Sequence, residues 1–270
     1  MYGGLADNPN ADRVKRYRSL GQAAARRRTG LFLVEGPQSV RELVRFNPDA
    51  IETLYLTEAA QQRYTEIIEA AATNSVTITL ATEQVIQTIS DNAQQVLAVA
   101  KADKFQFSQS AELTLPKKAR LIAILHNVRD PGNAGTVIRA ADALGADLTV
   151  LTGDSVEITN PKVIRSSAGS VFHVPVIAER DLGGIVNSLK AKNWQVLAAT
   201  ASQDKNILDP KLDLTRPTAW IFGNEAWGLP RDAIALADEA VSIPIYGSAE
   251  SLNLATAASI CLFATAAAQH

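Results

Sequence analysis

Cysteine is nearly absent from this 270-residue chain: Cys261 stands alone, which excludes an intramolecular disulfide and any cysteine-rich zinc site. Histidine is almost as scarce. His126, His173 and His270 are far apart in sequence, so no metal is expected. The opening stretch MYGGLADNPNADRVKRYRS has no apolar segment of the kind that directs export, and the expected location is the cytoplasm. Long hydrophobic runs are missing too. The nearest, LNLATAASICLFATAAA, is largely alanine, lacks flanking cations and is interrupted by Asn253, Thr256, Ser259 and Thr265, so no membrane span is expected. A helix apolar all round, in a chain of this size, fits either a central core helix or a subunit interface.

What is present suits an ordinary globular protein. Hydrophobic residues make up 47% of the chain, ample for two packed domains at about 100–200 residues each. The net charge of −2 conceals an uneven distribution. Residues 1–46 hold nine cations against four acids, so that segment is +5 and the remainder −7. Arg13, Lys15, Arg16 and Arg18 form one cluster and Arg26, Arg27 and Arg28 a second, with Tyr17 between them. A basic arm on an otherwise acidic protein points to a polyanion such as RNA; the bland alternative is a solvated helix face.

Apolar periodicity alternates strands with helices through the first part: strands LFLVEG, IETLYLT, VTITLA and QQVLAVA, and helices PQSVRELVRF, AAQQRYTEIIEAAATN and TEQVIQTIS. This predicts a small α/β domain over residues 1–104. Residues 105–118 lose periodicity and read as a linker. A second alternating block fills 119–270, with strand candidates LIAIL, LTVL, VFHVPV, WQVLAAT, AWIFG and AVSIPI. These nearly continuous apolar strands predict a parallel sheet covered on both faces, with ligands at the carboxyl ends of the strands.

Three of those strand ends carry unusual polar residues. The first, HNVRDPGNAG, reads as a glycine turn before a helix expected to open near Thr136. It is neither a Walker A loop nor Gly-x-Gly-x-x-Gly, so it matches no conventional nucleotide cradle. On the helix that follows, Arg139 lies about 160–200° from the stripe of Val137, Ala141 and Leu144, where periodicity alone makes it a solvated surface residue. The second loop, GNEAWGLP, places Glu225 at a strand mouth, positioned to orient a hydroxyl, face a cation or cap a helix. Trp227 there reads as core or rim packing ahead of a stacking platform. In the third, YGSAESLN, Ser251 occupies an expected N-cap and Asn253 the first turn of an apolar helix, where an unpartnered buried amide would cost about 1–3 kcal/mol.

Taken in order, NAGTVIRAADALGA, IFGNEAWGLP and SIPIYGSAESLNLATAASICLF resemble the three motifs of the SpoU-type RNA ribose 2′-O-methyltransferases of the SPOUT class. The resemblance covers residues 119–270. Residues 1–104 look like the small RNA-binding domain that many members carry, on architecture and charge alone. The resemblance implies an α/β catalytic domain with a deep trefoil knot, S-adenosyl-L-methionine as cofactor and a homodimer. It also implies cofactor contacts at Gly223, Ile243 and Leu252, and a catalytic set of Asn133, Arg139, Glu225, Ser251 and Asn253. In that set Arg139 organises the target phosphate and hydroxyl, and acts on deprotonation directly or through that phosphate. The expected substrate is 23S ribosomal RNA, with transfer RNA second and resistance-type methylation of ribosomal RNA third. Two rivals remain: a nucleotide-dependent oxidoreductase or conventional Rossmann methyltransferase, which lacks its glycine fingerprint here, and a non-catalytic ribosome assembly factor, which predicts decay in the polar set.

Overall fold

Five consecutive buried side chains in Leu31–Glu35 make a strand covered on both faces, and the same reading recurs along the chain. The computed structural model describes residues 3–107, 115–201 and 204–270; residues 108–114, half of the expected linker, lie outside the described residues. Contacts divide the chain into two units, Met1–Phe105 with Thr159–His173, and Gln106–Ile158 with Val174–His270.

The first unit holds a sheet of β1 (Leu31–Glu35), β2 (Ile51–Leu56), β3 (Ile78–Leu80) and β4 (Val96–Lys101). Its order is β1-β4-β2-β3, with β4 antiparallel to both neighbours and β2 parallel to β3. The arginine-rich segment forms two short helices, Asp12–Arg18 and Ala23–Thr29. Val14, Tyr17 and Leu20 from this segment join Leu33, Tyr55, Ile86 and Val99 in the core. Tyr17 is therefore buried, its hydroxyl 2.8 Å from Thr53 Oγ1, and does not interleave the cationic clusters as an exposed aromatic. The helix expected over AAQQRYTEIIEAAATN is two helices, Glu58–Arg63 and Thr65–Thr73, broken at Tyr64.

Thr159–His173 lies within the stretch assigned to the second domain on sequence, yet it packs in the first unit. An ion pair and a histidine–carboxylate contact hold it there. Arg165 bridges to the buried Glu35, which also accepts from Ser90 Oγ. His173 Nε2 sits 3.2 Å from Glu42 Oε2, and Arg41 Nε donates to Glu42 Oε1 at 2.7 Å. Gly169, at φ +98°, passes so close that a Cβ would lie 2.6 Å from Glu42 Cγ, so only glycine fits. This turn also corrects the strand expected over VFHVPV. Ser170–Phe172 is a 3-10 turn, and the strand begins only after Pro175, which has no N–H to give a ladder.

The second unit is built on β5 (Leu121–His126), β6 (Leu148–Thr152), β7 (Val176–Ala178), β8 (Gln195–Thr200), β9 (Thr218–Phe222) and β10 (Glu239–Ser242). All are parallel, in the order β10-β8-β9-β5-β6-β7. The chain leaves β5 outward through β6 and β7, then crosses to the other side, where β9 inserts between β8 and β5. The crevice of such a sheet lies where the order reverses, outside the carboxyl ends of β5 and β9. One face is closed by Leu182, Ile185, Val186 and Leu189 of the helix Leu182–Ala191. On the other, Leu254–Gln269 packs against the helix Pro131–Ala143, β5 and β9.

That last helix is not buried all round. Ala258, Cys261, Leu262 and Ala266 face inward, while Ile260 and Phe263 are exposed, Phe263 to 62%. Its one buried hydroxyl is satisfied: the Trp220 indole N–H donates to Thr265 Oγ1 at 2.9 Å. Burial also pushes the Cys261 thiol up to about 12, which keeps it protonated and inert. Among the described residues no helix is long and apolar enough to cross a membrane.

Candidate functional site

The first glycine loop turns out to be helix. Residues Pro131–Ala143 are α-helical, so Gly132, Asn133 and Gly135 occupy its opening turns and the helix starts five residues before Thr136. Asp130 caps it, Oδ1 accepting from the Asn133 N–H at 2.8 Å, and Pro131 fills the first helical position, where its missing N–H costs nothing. Between β5 and this helix, Asn127 adopts the left-handed conformation at φ +57°. Its side chain meets His126 Nε2 at 2.9 Å and accepts from the Asp154 N–H at 2.8 Å. Burial lowers the His126 pKa, partly countered by the charge of Asp232.

The second loop, after β9, is a closed hairpin. Asn224 and Gly228 exchange backbone hydrogen bonds at 3.1 and 2.9 Å. Asn224 is buried, its Nδ2 donating to the Asn127 carbonyl at 2.8 Å and its Oδ1 accepting from Ala226 N–H at 2.8 Å. Gly223 permits this closure, since a Cβ there would lie 2.4 Å from the Gly228 carbonyl carbon. Glu225 is not a helix cap; its carboxylate faces the first loop.

In the third loop the expected cap moves by two residues. Asn253, not Ser251, caps Leu254–Gln269, its Oδ1 accepting from Ala255 N–H at 2.8 Å and Thr256 N–H at 3.4 Å. The helix starts at Leu254, one residue beyond Asn253, so its amide is used rather than stranded. The remaining amine of Asn253 donates to Asn133 Oδ1 at 3.0 Å, and Asn133 Nδ2 donates to Glu225 Oε1 at 3.2 Å. One polar side chain from each loop thus enters a single chain of hydrogen bonds.

Beside that chain is a cleft of about 660 Å³, in the size range of small-molecule sites. Gly223, Glu225, Ile243, Ser251, Leu252 and Asn253 all line it, along with Thr200 at the end of β8. Ile243 and Leu252 are half-buried apolar walls, and Ser251 is exposed at the edge. Arg139 is not among the lining residues. It is exposed on the helix and has no hydrogen bond or ion pair among the described residues. Such an arrangement can hold an amphipathic ligand against backbone at the strand ends, with one carboxylate oriented at the mouth. Sequence reasoning missed Asn127 and Asn224, which lock two loops together; their signal is a polar residue directly after an apolar strand.

The basic arm is less uniform than its sequence. Arg13, Lys15, Arg16, Arg18, Arg27 and Arg28 are exposed. Arg26 departs from the RNA-binding expectation: it is only 5% exposed, and its Nη1 donates to the carbonyls of Leu20 and Gly21 at 3.0 Å each. It ties the 3-10 turn Ser19–Gly21 to the second helix and presents no charge to a phosphate.

The model described as the SpoU rRNA Methylase family matches residues 120–263, and that of the MRM3-like substrate binding domain matches residues 11–98. The 23S rRNA (guanosine(2553)-2′-O)-methyltransferase RlmP of Bacillus subtilis is 30% identical over 93% of this chain and 94% of its own. The 23S rRNA (guanosine-2′-O-)-methyltransferase RlmB of Nitrosomonas europaea is 31% identical over 85% of this chain and 89% of its own. Among solved structures, the AdoMet-bound rRNA methyltransferase from Sinorhizobium meliloti superposes with a TM-score of 0.80 at 28% identity, covering 98% of this chain and 97% of that one.

Proposed function

Because the chain belongs to the SpoU rRNA methylase family, we propose that it transfers a methyl group from S-adenosylmethionine to a ribose 2′-hydroxyl of 23S ribosomal RNA. The observation that carries this reading is the hydrogen-bond chain Asn253–Asn133–Glu225, which ties all three motifs together at the rim of one cleft.

The residues present fit the cofactor. The cleft is large enough, its apolar walls Ile243 and Leu252 suit an adenosine, and Gly223 leaves backbone rather than side chain facing the ligand. When bound, S-adenosylmethionine supplies an electrophilic methyl on a sulfonium sulfur. A 2′-hydroxyl is a weak nucleophile, so the protein must bring its oxygen within about 3–3.5 Å of that methyl and assist departure of the proton. Glu225, held by Asn133, orients the ribose. Asn253 keeps Asn133 in place, and Ser251 supports the loop edge. Arg139 has no hydrogen bond or ion pair among the described residues, so it gathers the target phosphate and hydroxyl, acting on deprotonation directly or through that phosphate. The bound group would give up its methyl to the 2′-oxygen and keep the electrons of the broken C–S bond, while Glu225 and Arg139 hold that oxygen as its proton leaves.

The exposed cations of the first helices, inside the segment matched by the substrate-binding model, serve as the RNA-binding surface. Residues 1–104 act as the substrate-binding domain and 119–270 as the catalytic domain, which carries the trefoil knot. The protein works in the cytoplasm as a homodimer. Exposed Ile260 and Phe263 on the C-terminal helix support that assembly, and sedimentation equilibrium checks it.

The test is incubation with methyl-labelled S-adenosylmethionine and unmodified ribosomal and transfer RNA, followed by mapping of 2′-O-methyl positions. Label at one position of 23S RNA is the expected result. Label in transfer RNA alone moves the substrate assignment. No label in any fraction, precursor ribosomal RNA included, returns the protein to the assembly-factor reading.

A further inference from the structure

Trp227 is the one tryptophan left in solvent: Trp220 is fully buried and Trp194 is 7% exposed, while Trp227 is 60% exposed. It sits two residues after Glu225 and lines the same cleft. An exposed indole on a loose loop would carry little meaning, but this loop is fastened. The Asn224–Gly228 backbone pair, the Asn224 side chain bonded to Asn127 and to Ala226, and the left-handed Gly228 at φ +69° fix the turn from which the ring projects. The ring is also flanked by a cation. Arg129 places its guanidinium carbon 5.7 Å from the ring centroid, and its Nη2 lies 3.9 Å from Asp154 Oδ2. An indole at the edge of a cleft, with a guanidinium beside it, forms the kind of platform on which a nucleobase stacks.

We propose that Trp227, braced by Arg129, stacks on the base of the RNA nucleotide whose ribose faces Glu225, and so positions the target for methylation. The inference rests on the RNA-methylation reading above and names how that site grips its substrate. Trp227 is a positioning residue: it reads the flat face of a base and leaves the identity of the base to other contacts. Stacking is sequence-tolerant because every base has a π-face. Arg129 adds a charge beside the phosphate of the same strand.

Three variants, Trp227→Phe, Trp227→Leu and Trp227→Ala, separate aromatic stacking from apolar bulk. With in-vitro transcribed, unmodified 23S RNA, the Leu and Ala variants should raise KM for RNA by about tenfold or more, while Phe restores most of the loss. Binding of S-adenosylmethionine, measured by calorimetry, should be the same in all four proteins. Since the other two tryptophans are buried, the same transcript should quench the fluorescence of the wild-type protein and leave that of Trp227→Phe unchanged. A Leu variant with wild-type KM, or a wild-type protein whose fluorescence ignores the transcript, overturns the proposal. So does a Trp227→Ala protein that loses affinity for S-adenosylmethionine in step with RNA, because the ring then serves the cofactor. If the wild-type protein labels no RNA at all, the methylation reading fails, and the quenching experiment still decides whether the ring stacks on RNA.

Discussion

Along the first helices six cationic side chains are exposed, whereas at the strand ends of the parallel sheet the polar side chains point at one another. The arm offers charge without geometry: it attracts any polyanion, and its contacts are exchangeable and screened by salt. The loops offer geometry with little charge. Asn133, Asn224, Asn253 and Glu225 are fixed before a substrate arrives, which spares the reaction the cost of arranging them. Changes in the arm should therefore act by degrees and changes in the loops abruptly. Arg139 stands between the two: it has an arm-like exposure and a loop-like address.

Arg139→Ala gives the largest expected effect and the clearest break in that comparison. Methyl transfer should fall by about 100-fold or more, as for loss of a residue that stabilises developing charge, while cofactor affinity stays nearly unchanged. If single-turnover rates match the wild type, Arg139 belongs with the arm. Gly223→Ala comes next. Its Cβ would meet backbone that has nowhere to go, so the hairpin must open; S-adenosylmethionine binding should be lost and the unfolding midpoint should drop, for a cost of about 1–3 kcal/mol.

Within the arm, neighbouring arginines should behave oppositely. Arg27 and Arg28, replaced together by Gln, should weaken RNA binding and reduce the slope of log affinity against log salt by at most about 1.4. Arg26→Ala should leave the slope alone and cost about 1–3 kcal/mol of stability, because two carbonyls lose their donor. The smallest effect concerns pH. The folded state lowers the His126 pKa from 6.5, so it binds a proton less readily than the unfolded chain. The stability this gives is fully present above about pH 6.5 and is lost as pH falls toward the folded value. Thermal unfolding of the wild type between pH 7.5 and 5.5 should show that loss, and His126→Gln should reduce it.

Much of this architecture was legible in the amino-acid order. Apolar runs such as LFLVE and TAWIF announce strands because burial on both faces leaves no room for polar alternation. The three polar clusters stood out because each interrupts such a run. Their union did not stand out: nothing local says that Asn133 and Asn253, 120 positions apart, share a hydrogen bond. Glycines in DPGNAG suggested a turn, although Asp130 followed by Pro131 is itself a helix-start signal. In SLN both Ser and Asn can cap, and only the backbone selects Asn253. Likewise RRR is three identical letters, and the packing of Leu20 against the sheet decides which one turns inward. The exposure of Trp227 reversed the expectation of core packing while keeping its place at a rim.

The docking of Thr159–His173 into the first unit has a consequence in time. On the ribosome, β1 to β4 emerge early, but the arginine that neutralises buried Glu35 and the imidazole beside Glu42 come much later. At about 5–20 residues per second, the interval between Phe105 and His173 lasts roughly 3–14 s. Until then two inward-facing carboxylates wait without these partners, so the N-terminal unit is synthesised first yet completed only after part of the second unit has been made.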